Sequence, residues 1–321
     1  MKHTVLFTGG LDSTYRLCQL ARDKEAVVQP VYILFPDDGK SPHIRPELQR
    51  EIEAQDKVLE FITTHPETKA MILPIRRIHR DAIPQDIRVM ELESYLAEYQ
   101  LGWQYLYFAI LAKYYPKLEL CQEGYPDVTL TDKLEFQMEG QYRVLSPNVC
   151  DERLATLFKG LSWPIFGTTR KQMVQDIKAW GYSGIFDRIW WCYHNINGKP
   201  CGICDNCRAK IVAGLKELFT KEAIHRYLVY MFVRAHYNFY YWQAAFWDYF
   251  FRDKFLAEEK YNKRTTEFYK SLDSVLKLDD RRLKKIIIKG SLEYGYTPSR
   301  KQRILAYKKD LTREHLLDYL K

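Results

Sequence analysis

Thr4-Val5-Leu6-Phe7 is β-branched and aromatic, and it runs through Thr8-Gly9-Gly10-Leu11-Asp12-Ser13 into a segment with Leu17 and Leu20 spaced for one helical face. A buried strand that turns through two glycines straight into a helix is the opening unit of a parallel sheet covered by helices. The order repeats along the chain. Apolar strand patterns at 4–7, 27–35, 71–75, 118–121 and 142–145 alternate with helical spacing near 13–24, 46–64, 103–115 and 169–180, the last closed by Gly181. The expected fold is therefore α/β, a doubly wound parallel sheet.

That pattern stops after a cluster of cysteines. From 210 to 320 no strand signal stands out, only helical spacing, with dense Tyr, Phe and Trp between His225 and Phe255. Two domains follow for the 321 residues: 1–212, α/β with the cysteines, and 213–321, an all-helical, aromatic-rich and basic extension. Of the net charge of +8, most lies at 277–321, where thirteen Lys and Arg face six Asp and Glu. Such a tail is either a solvated helical surface or a contact for nucleic acid or an acidic partner. The aromatics from Tyr227 through Tyr240, Tyr241, Trp242, Trp247 and Phe251 read as helical core or a homodimer seam, with a partner or nucleic-acid platform as the alternative.

MKHTVLFTGG has too few apolar residues for a secretory leader, and no apolar run approaches the roughly 18 residues of a membrane span. A cytoplasmic, membrane-free protein is expected. In that reducing setting Cys192, Cys201, Cys204 and Cys207, spaced C-x8-C-x2-C-x2-C, read as a metal site, whereas Cys18, Cys121 and Cys150 stand singly as inert thiols. Two-residue spacings turn thiolates onto one tetrahedral ion, and four soft sulfurs make a closed structural Zn²⁺ site. An iron–sulfur cluster is the alternative for C-x2-C-x2-C.

Backbone N–H groups at a helix start and the positive end of its dipole favour an anion. Gly9 and Gly10 allow close approach, and the hydroxyls of Thr8 and Ser13 can donate to phosphate oxygens. Asp12 suits such a place when Mg²⁺ lies between it and the phosphates, since bare anions repel. The plain alternative is a Gly-Gly turn with Asp as a helix cap. The stretch is no Walker A loop and lacks the third glycine of a dinucleotide fingerprint.

Thr8-Gly9-Gly10-Leu11-Asp12-Ser13 resembles the S-G-G-x-D-S loop of ATP pyrophosphatases, with Thr for Ser. Joined to C-x8-C-G-x-C-x2-C some 180 residues later, it is similar over residues 1–212 to the 7-cyano-7-deazaguanine synthase (QueC) family. Gly124-Tyr125-Pro126-Asp127 keeps that family's G-Y-P-D; Phe35-Pro36-Asp37-Asp38-Gly39 with His43 echoes its F-D-Y-G-Q-x-H, and Ser146-Pro147 a T-P-L-like strand end. Two family patterns are altered: F-V-P-G-R-N reads Tyr99-Gln100-Leu101-Gly102-Trp103-Gln104, and T-K-x-E reads Thr169-Arg170-Lys171-Gln172.

The resemblance implies an adenine nucleotide alpha hydrolase-like fold and ATP, Mg²⁺ and Zn²⁺ as cofactors. It implies ATP binding by Thr8, Gly9, Gly10, Leu11, Asp12, Ser13 and Phe35, and catalysis by Asp12, Ser13, Arg170 and Lys171. Gln104, Tyr125 and Asp127 would bind a deazaguanine, whose N1–H and 2-amino group are two donors that the Asp127 carboxylate accepts together, with Tyr125 stacked on the ring. The implied reaction adenylates the carboxylate of 7-carboxy-7-deazaguanine for ammonia, giving the nitrile. Relatives in antiphage-defence operons pass the activated deazaguanine to an amine of a partner protein instead, a role for which the extension would serve as docking surface. A noncatalytic nucleotide- or RNA-binding module is the third reading.

Overall fold

The computed structural model describes residues 1–39, 41–45, 47–99, 101–123, 133–149, 151–228 and 230–231. Met1–Ile224 forms one compact unit; of the second, His225–Lys321, the described residues 225–228, 230 and 231 are helical. The first unit ends at Ile224, beyond the boundary expected at 212; the basic tail and most of the aromatic block lie outside the described residues. No helix among the described residues is long and apolar enough to cross a membrane.

The first unit is built on an eight-stranded sheet: β1 (Lys2–Leu6), β2 (Val27–Leu34), β3 (Met71–Ile72), β4 (Arg76–His79), β5 (Leu118–Glu119), β6 (Phe136–Glu139), β7 (Tyr142–Leu145) and β8 (Leu161–Ser162). Their order is β3-β2-β1-β5-β8-β7-β6, with β4 also on β2, and β1 to β5 and β8 run parallel. Between them lie α1 (Leu11–Ala21), α2 (Leu48–Thr64), α3 (Ile87–Met90), α4 (Glu93–Glu98), α5 (Gln104–Ala112), α6 (Glu152–Phe158), α7 (Arg170–Ala179) and α8 (Asp205–Val212).

Both faces of β2 are covered, which is why it reads as a nearly unbroken apolar run. Val31, Ile33 and Phe35 join Leu6 in the core with α5 and α6, while Tyr32, on the opposite face, donates to Glu51 of α2. On that second side Tyr15 of α1 donates to Asp176 of α7 at 3.0 Å and stacks on Trp180 at 5.2 Å. Helices on both faces of a mostly parallel sheet are compatible with the doubly wound expectation.

The single strand expected at 71–75 is two. Val27–Val28 pair with Met71–Ile72 and Val31–Leu34 with Arg76–His79, leaving Pro30 opposite the break that contains Pro74. Neither proline has an N–H for the ladder, so the outer strand parts where none is needed, and Gln29 Nε2 bridges the gap to the carbonyls of Pro30 and Pro74 at 3.1 and 2.8 Å. The sheet is also not wholly parallel. The strand expected at 142–145 is the second arm of a hairpin turned through Gly140, at φ +62°, and it runs antiparallel to both β6 and β8.

Within the sheet, Glu119 of β5 is fully buried. Arg16 donates to its carboxylate through Nε and Nη2 at 2.7 and 3.0 Å, and His3 Nδ1 lies 2.7 Å from it. Burial pushes this carboxyl up, but the hydrogen bonds from His3 and Arg16 outweigh it and hold the group below the usual range.

Candidate functional site

After β1 the chain builds β2 to β4 on one side and then β5 and β8 on the other, so the carboxyl ends of β1 and β5 flank a switch point, where an open α/β sheet has its crevice. The loop from Phe7 to Gly10 and the first turn of α1 occupy it. Gly9 has φ +76°, and a Cβ there would meet the Gln55 nitrogen at 3.2 Å and Ala54 Cβ at 3.3 Å. The positive φ favours glycine here, and the contacts leave little room for more. Thr8 Oγ1 accepts from the Gly10 N–H at 3.3 Å, and Ser13 Oγ accepts from the Thr8 N–H at 3.3 Å. Leu11 is buried and anchors the turn. The first helical bond runs from Thr14 N–H to Gly10 O at 3.1 Å, so the N–H groups of residues 11–13 precede it.

Asp12 departs from a capping residue. Its Oδ1 is buried with no hydrogen-bond partner, and Gly10, the N-cap, has no side chain to cap with. An orphaned buried acceptor costs about 1–3 kcal/mol, more when charged, unless a ligand satisfies it. The Asp12 charge is felt by Glu123, just beyond β5, and by Lys210 on α8, both of which also feel Arg170 at the start of α7. Arg170 Nη2 is paired with Glu123 at 2.5 Å, while its Nε is buried without a partner. Burial raises the Glu123 carboxyl, Asp12 adds to the rise, and Arg170 and Lys210 oppose it. Lys171, by contrast, is exposed and makes no hydrogen bond or ion pair among the described residues. Cys121, next to Glu119, has its thiol raised far above the ordinary range by burial and by the Glu119 and Asp12 carboxylates, so it is no thiolate at neutral pH.

At the end of β2, Phe35 is 2% exposed, its ring edge-on to Trp103 at 4.6 Å and to Tyr107 at 5.0 Å. It belongs to the core under the crevice rather than to an open face. Trp103 stacks on His43 at 4.7 Å, and His43 Nε2 lies 2.9 Å from Glu93. Gln104 accepts from Arg45 Nη2 at 2.8 Å, and Arg45 Nη1 donates to Glu51 at 3.0 Å, so that its amide is already engaged. Tyr105, next on α5, donates to Gln122 beyond β5, and its phenol, raised by burial, also feels Asp12. Tyr125 and Asp127 lie outside the described residues.

The four clustered cysteines are all buried, and their sulfurs lie within 4.8 Å of one another. Cys201 and Cys207 are 3.9 Å apart, where ligands at about 2.3 Å from one tetrahedral ion stand about 3.8 Å apart. Cys192 Sγ accepts N–H groups of His194 and Cys201 at 3.4 and 3.2 Å, and Cys201 Sγ those of Ile203 and Cys204 at 3.4 and 3.2 Å, donors that steady thiolate charge. Gly202, at φ +84°, makes the turn between ligands, and a Cβ on it would fall 2.1 Å from Ala223 O. The set can hold one soft divalent ion such as zinc. A cubane, with its thiolates spread over four irons, fits such closeness less well.

The module abuts the glycine loop. Trp190 N–H donates to Gly9 O at 2.9 Å, and Trp190 O would lie 3.5 Å from a Cβ on Gly10. The structure thus gathers Thr8 to Ser13, Arg170 and the cysteine segment at one end of the sheet. Sequence reasoning missed Glu123 and Lys210. Lys210 follows Cys207 by three positions, hence on the same helical face, and that spacing was the signal. No protein-family model and no curated protein matches the chain.

Proposed function

We propose that this protein is an ATP-dependent adenylating enzyme of the pyrophosphatase-loop kind, with 7-carboxy-7-deazaguanine as the acid it activates. The observation that carries the reading is Asp12, a half-buried residue whose Oδ1 is buried without a partner, on the first turn of the helix that opens at the switch point. The N–H groups of residues 11–13 and the hydroxyls of Thr8 and Ser13 take the β,γ-phosphates, and Asp12 is the residue to hold Mg²⁺, which offsets phosphate charge. Arg170, steadied by Glu123, supplies a cation beside the departing pyrophosphate.

The substrate carboxylate attacks the α-phosphorus, the bond to pyrophosphate breaks, and an acyl adenylate forms. Ammonia then attacks the carbonyl, AMP leaves, and a second ATP drives loss of water from the amide to give the nitrile. Positioning and charge stabilisation suffice, with no protein nucleophile, in keeping with a Cys121 thiol held protonated. Asp127 and Tyr125 are assigned the deazaguanine edge and face on the resemblance alone.

One observation favours an amine on a partner protein as the acceptor. Where the family carries an arginine, Trp103 stacks on His43 and covers Phe35, which removes a cation from the substrate side. Metal-loaded protein with Mg-ATP, 7-carboxy-7-deazaguanine and ammonium, followed by mass spectrometry, tests both readings. Nitrile with AMP supports the synthase, AMP without nitrile supports the protein acceptor, and failure to bind ATP leaves the noncatalytic module.

A further inference from the structure

Lys210 is the one buried lysine of the first unit among the described residues, 6% exposed, and it forms no hydrogen bond or ion pair there. Its ammonium lies over the Trp191 ring, whose centroid is 5.4 Å away. An ammonium on a buried side chain with no direct hydrogen-bond acceptor is costly to keep charged, so a lysine held this way can be satisfied by an anion that arrives as a ligand. The ring beneath Lys210 belongs to the residue after Trp190, whose N–H donates to Gly9 O at 2.9 Å, which sets Lys210 on the side of the loop before α1. Burial pushes its ammonium down, Asp12, Cys207 and Glu123 oppose this, and Arg170 adds to it.

The cysteine module holds it there. Cys204 is the N-cap of α8, Cys207 lies in its first turn, and Lys210 follows one turn later. Asn206 Nδ2 donates to Trp191 O at 3.1 Å, joining α8 to the strand of chain whose Trp190 N–H grips Gly9 O. Two elements far apart in sequence, the loop after β1 and the helix after the metal ligands, are thus tied together through Trp190 and Trp191.

We propose that the cysteine module is the second wall of the phosphate site and that Lys210 is its contact, an ammonium that binds the polyphosphate seated on the start of α1. The metal ion is then more than a fastener for a peripheral loop: by fixing α8 it sets where that charge stands. The inference rests on the reading of the glycine loop as a polyphosphate site, but not on the identity of the activated acid.

Binding of inorganic pyrophosphate with Mg²⁺, measured by calorimetry on the full-length protein, tests it without any turnover. A charged hydrogen bond lost to Lys210→Gln is expected to weaken binding about 10- to 100-fold. Lys210→Arg should restore part of that loss, and Lys216→Gln, at an exposed position, should leave binding unchanged. Metal content and melting temperature of each variant show that it is folded. In the unaltered protein, pyrophosphate should slow acylation of Lys210 by an amine reagent relative to Lys216, an arm that needs no variant. Wild-type affinity in a folded Lys210→Gln protein, or acylation of Lys210 indifferent to pyrophosphate, overturns the inference while leaving the loop reading intact. If the unaltered protein binds no pyrophosphate and no ATP, the loop reading fails and the inference with it.

Discussion

The glycine loop at residues 8–13 and the cysteine module at 192–207 are both short turns, each with a glycine in the left-handed region, that lead into helices. Their polar groups are disposed in opposite ways. In the module every ligand sulfur faces the other three, and the sulfurs of Cys192 and Cys201 accept backbone N–H groups. Around the loop, Asp12 Oδ1, Thr14 Oγ1, Gln55 Nε2 and Arg170 Nε are buried without partners. A set of donors that converges on itself binds a small ion and stabilises the fold. A set that leaves buried polar atoms unmet holds free energy in reserve for something that arrives.

The sharpest way to break this comparison is to remove a ligand from the module. Cys201→Ser should abolish metal binding and destabilise the protein by at least about 4 kcal/mol, read as a fall in melting temperature of about 8–16 °C together with lost metal content. Asp12→Asn should do the reverse. AMP formation should drop about 100- to 1,000-fold, yet melting temperature should hold or rise, because the charge on a carboxylate with a buried, unpartnered oxygen has gone. A large loss of stability in Asp12→Asn would make that residue structural and erase the contrast.

The two glycines sharpen the comparison in smaller steps. Gly202→Ala drives a Cβ into the Ala223 carbonyl and should cost about 2–4 kcal/mol by thermal or denaturant unfolding. Gly9→Ala meets its neighbours at 3.2–3.3 Å, where slight movement relieves the contact, so about 1–2 kcal/mol is expected, chiefly from its positive φ. The smallest effect is in the sheet that supports both regions. The Glu119 carboxyl is held below its usual range, so it stabilises the fold above the unfolded value of about 4.3, and this is lost as pH falls through the lower folded value. Glu119→Gln should therefore flatten the acid limb of the stability profile below about pH 4 while lowering stability at neutral pH, where Arg16 is left with less charge to face.

Much of this was legible beforehand. Helices α1, α2, α5 and α7 fall within a few residues of their expected spans because Leu17 and Leu20, or Met173, Val174 and Ile177, carry a helical period, and because Thr169 caps by accepting from the Gln172 N–H at 3.2 Å. The cysteine ligands were equally plain, since their spacing is local. Strands β6 and β8 and helix α6 were not read. Their apolar runs are short, and β8, with only Leu161 and Ser162, exists because β5 and β7 lie on either side of it.

Periodicity, turn residues and ligand spacing act over a few residues, and so the chain by itself determined the alternation of strands and helices, the glycine turn and the cysteine set. Sheet order, the break opposite Pro30, the burial of Phe35 beneath Trp103 and the approach of Lys210 to the loop after β1 depend on residues far apart in the chain, some by about two hundred positions. Only packing of the whole unit decides those, because a side chain's burial and electrostatic surroundings are set by neighbours that distant parts of the chain contribute.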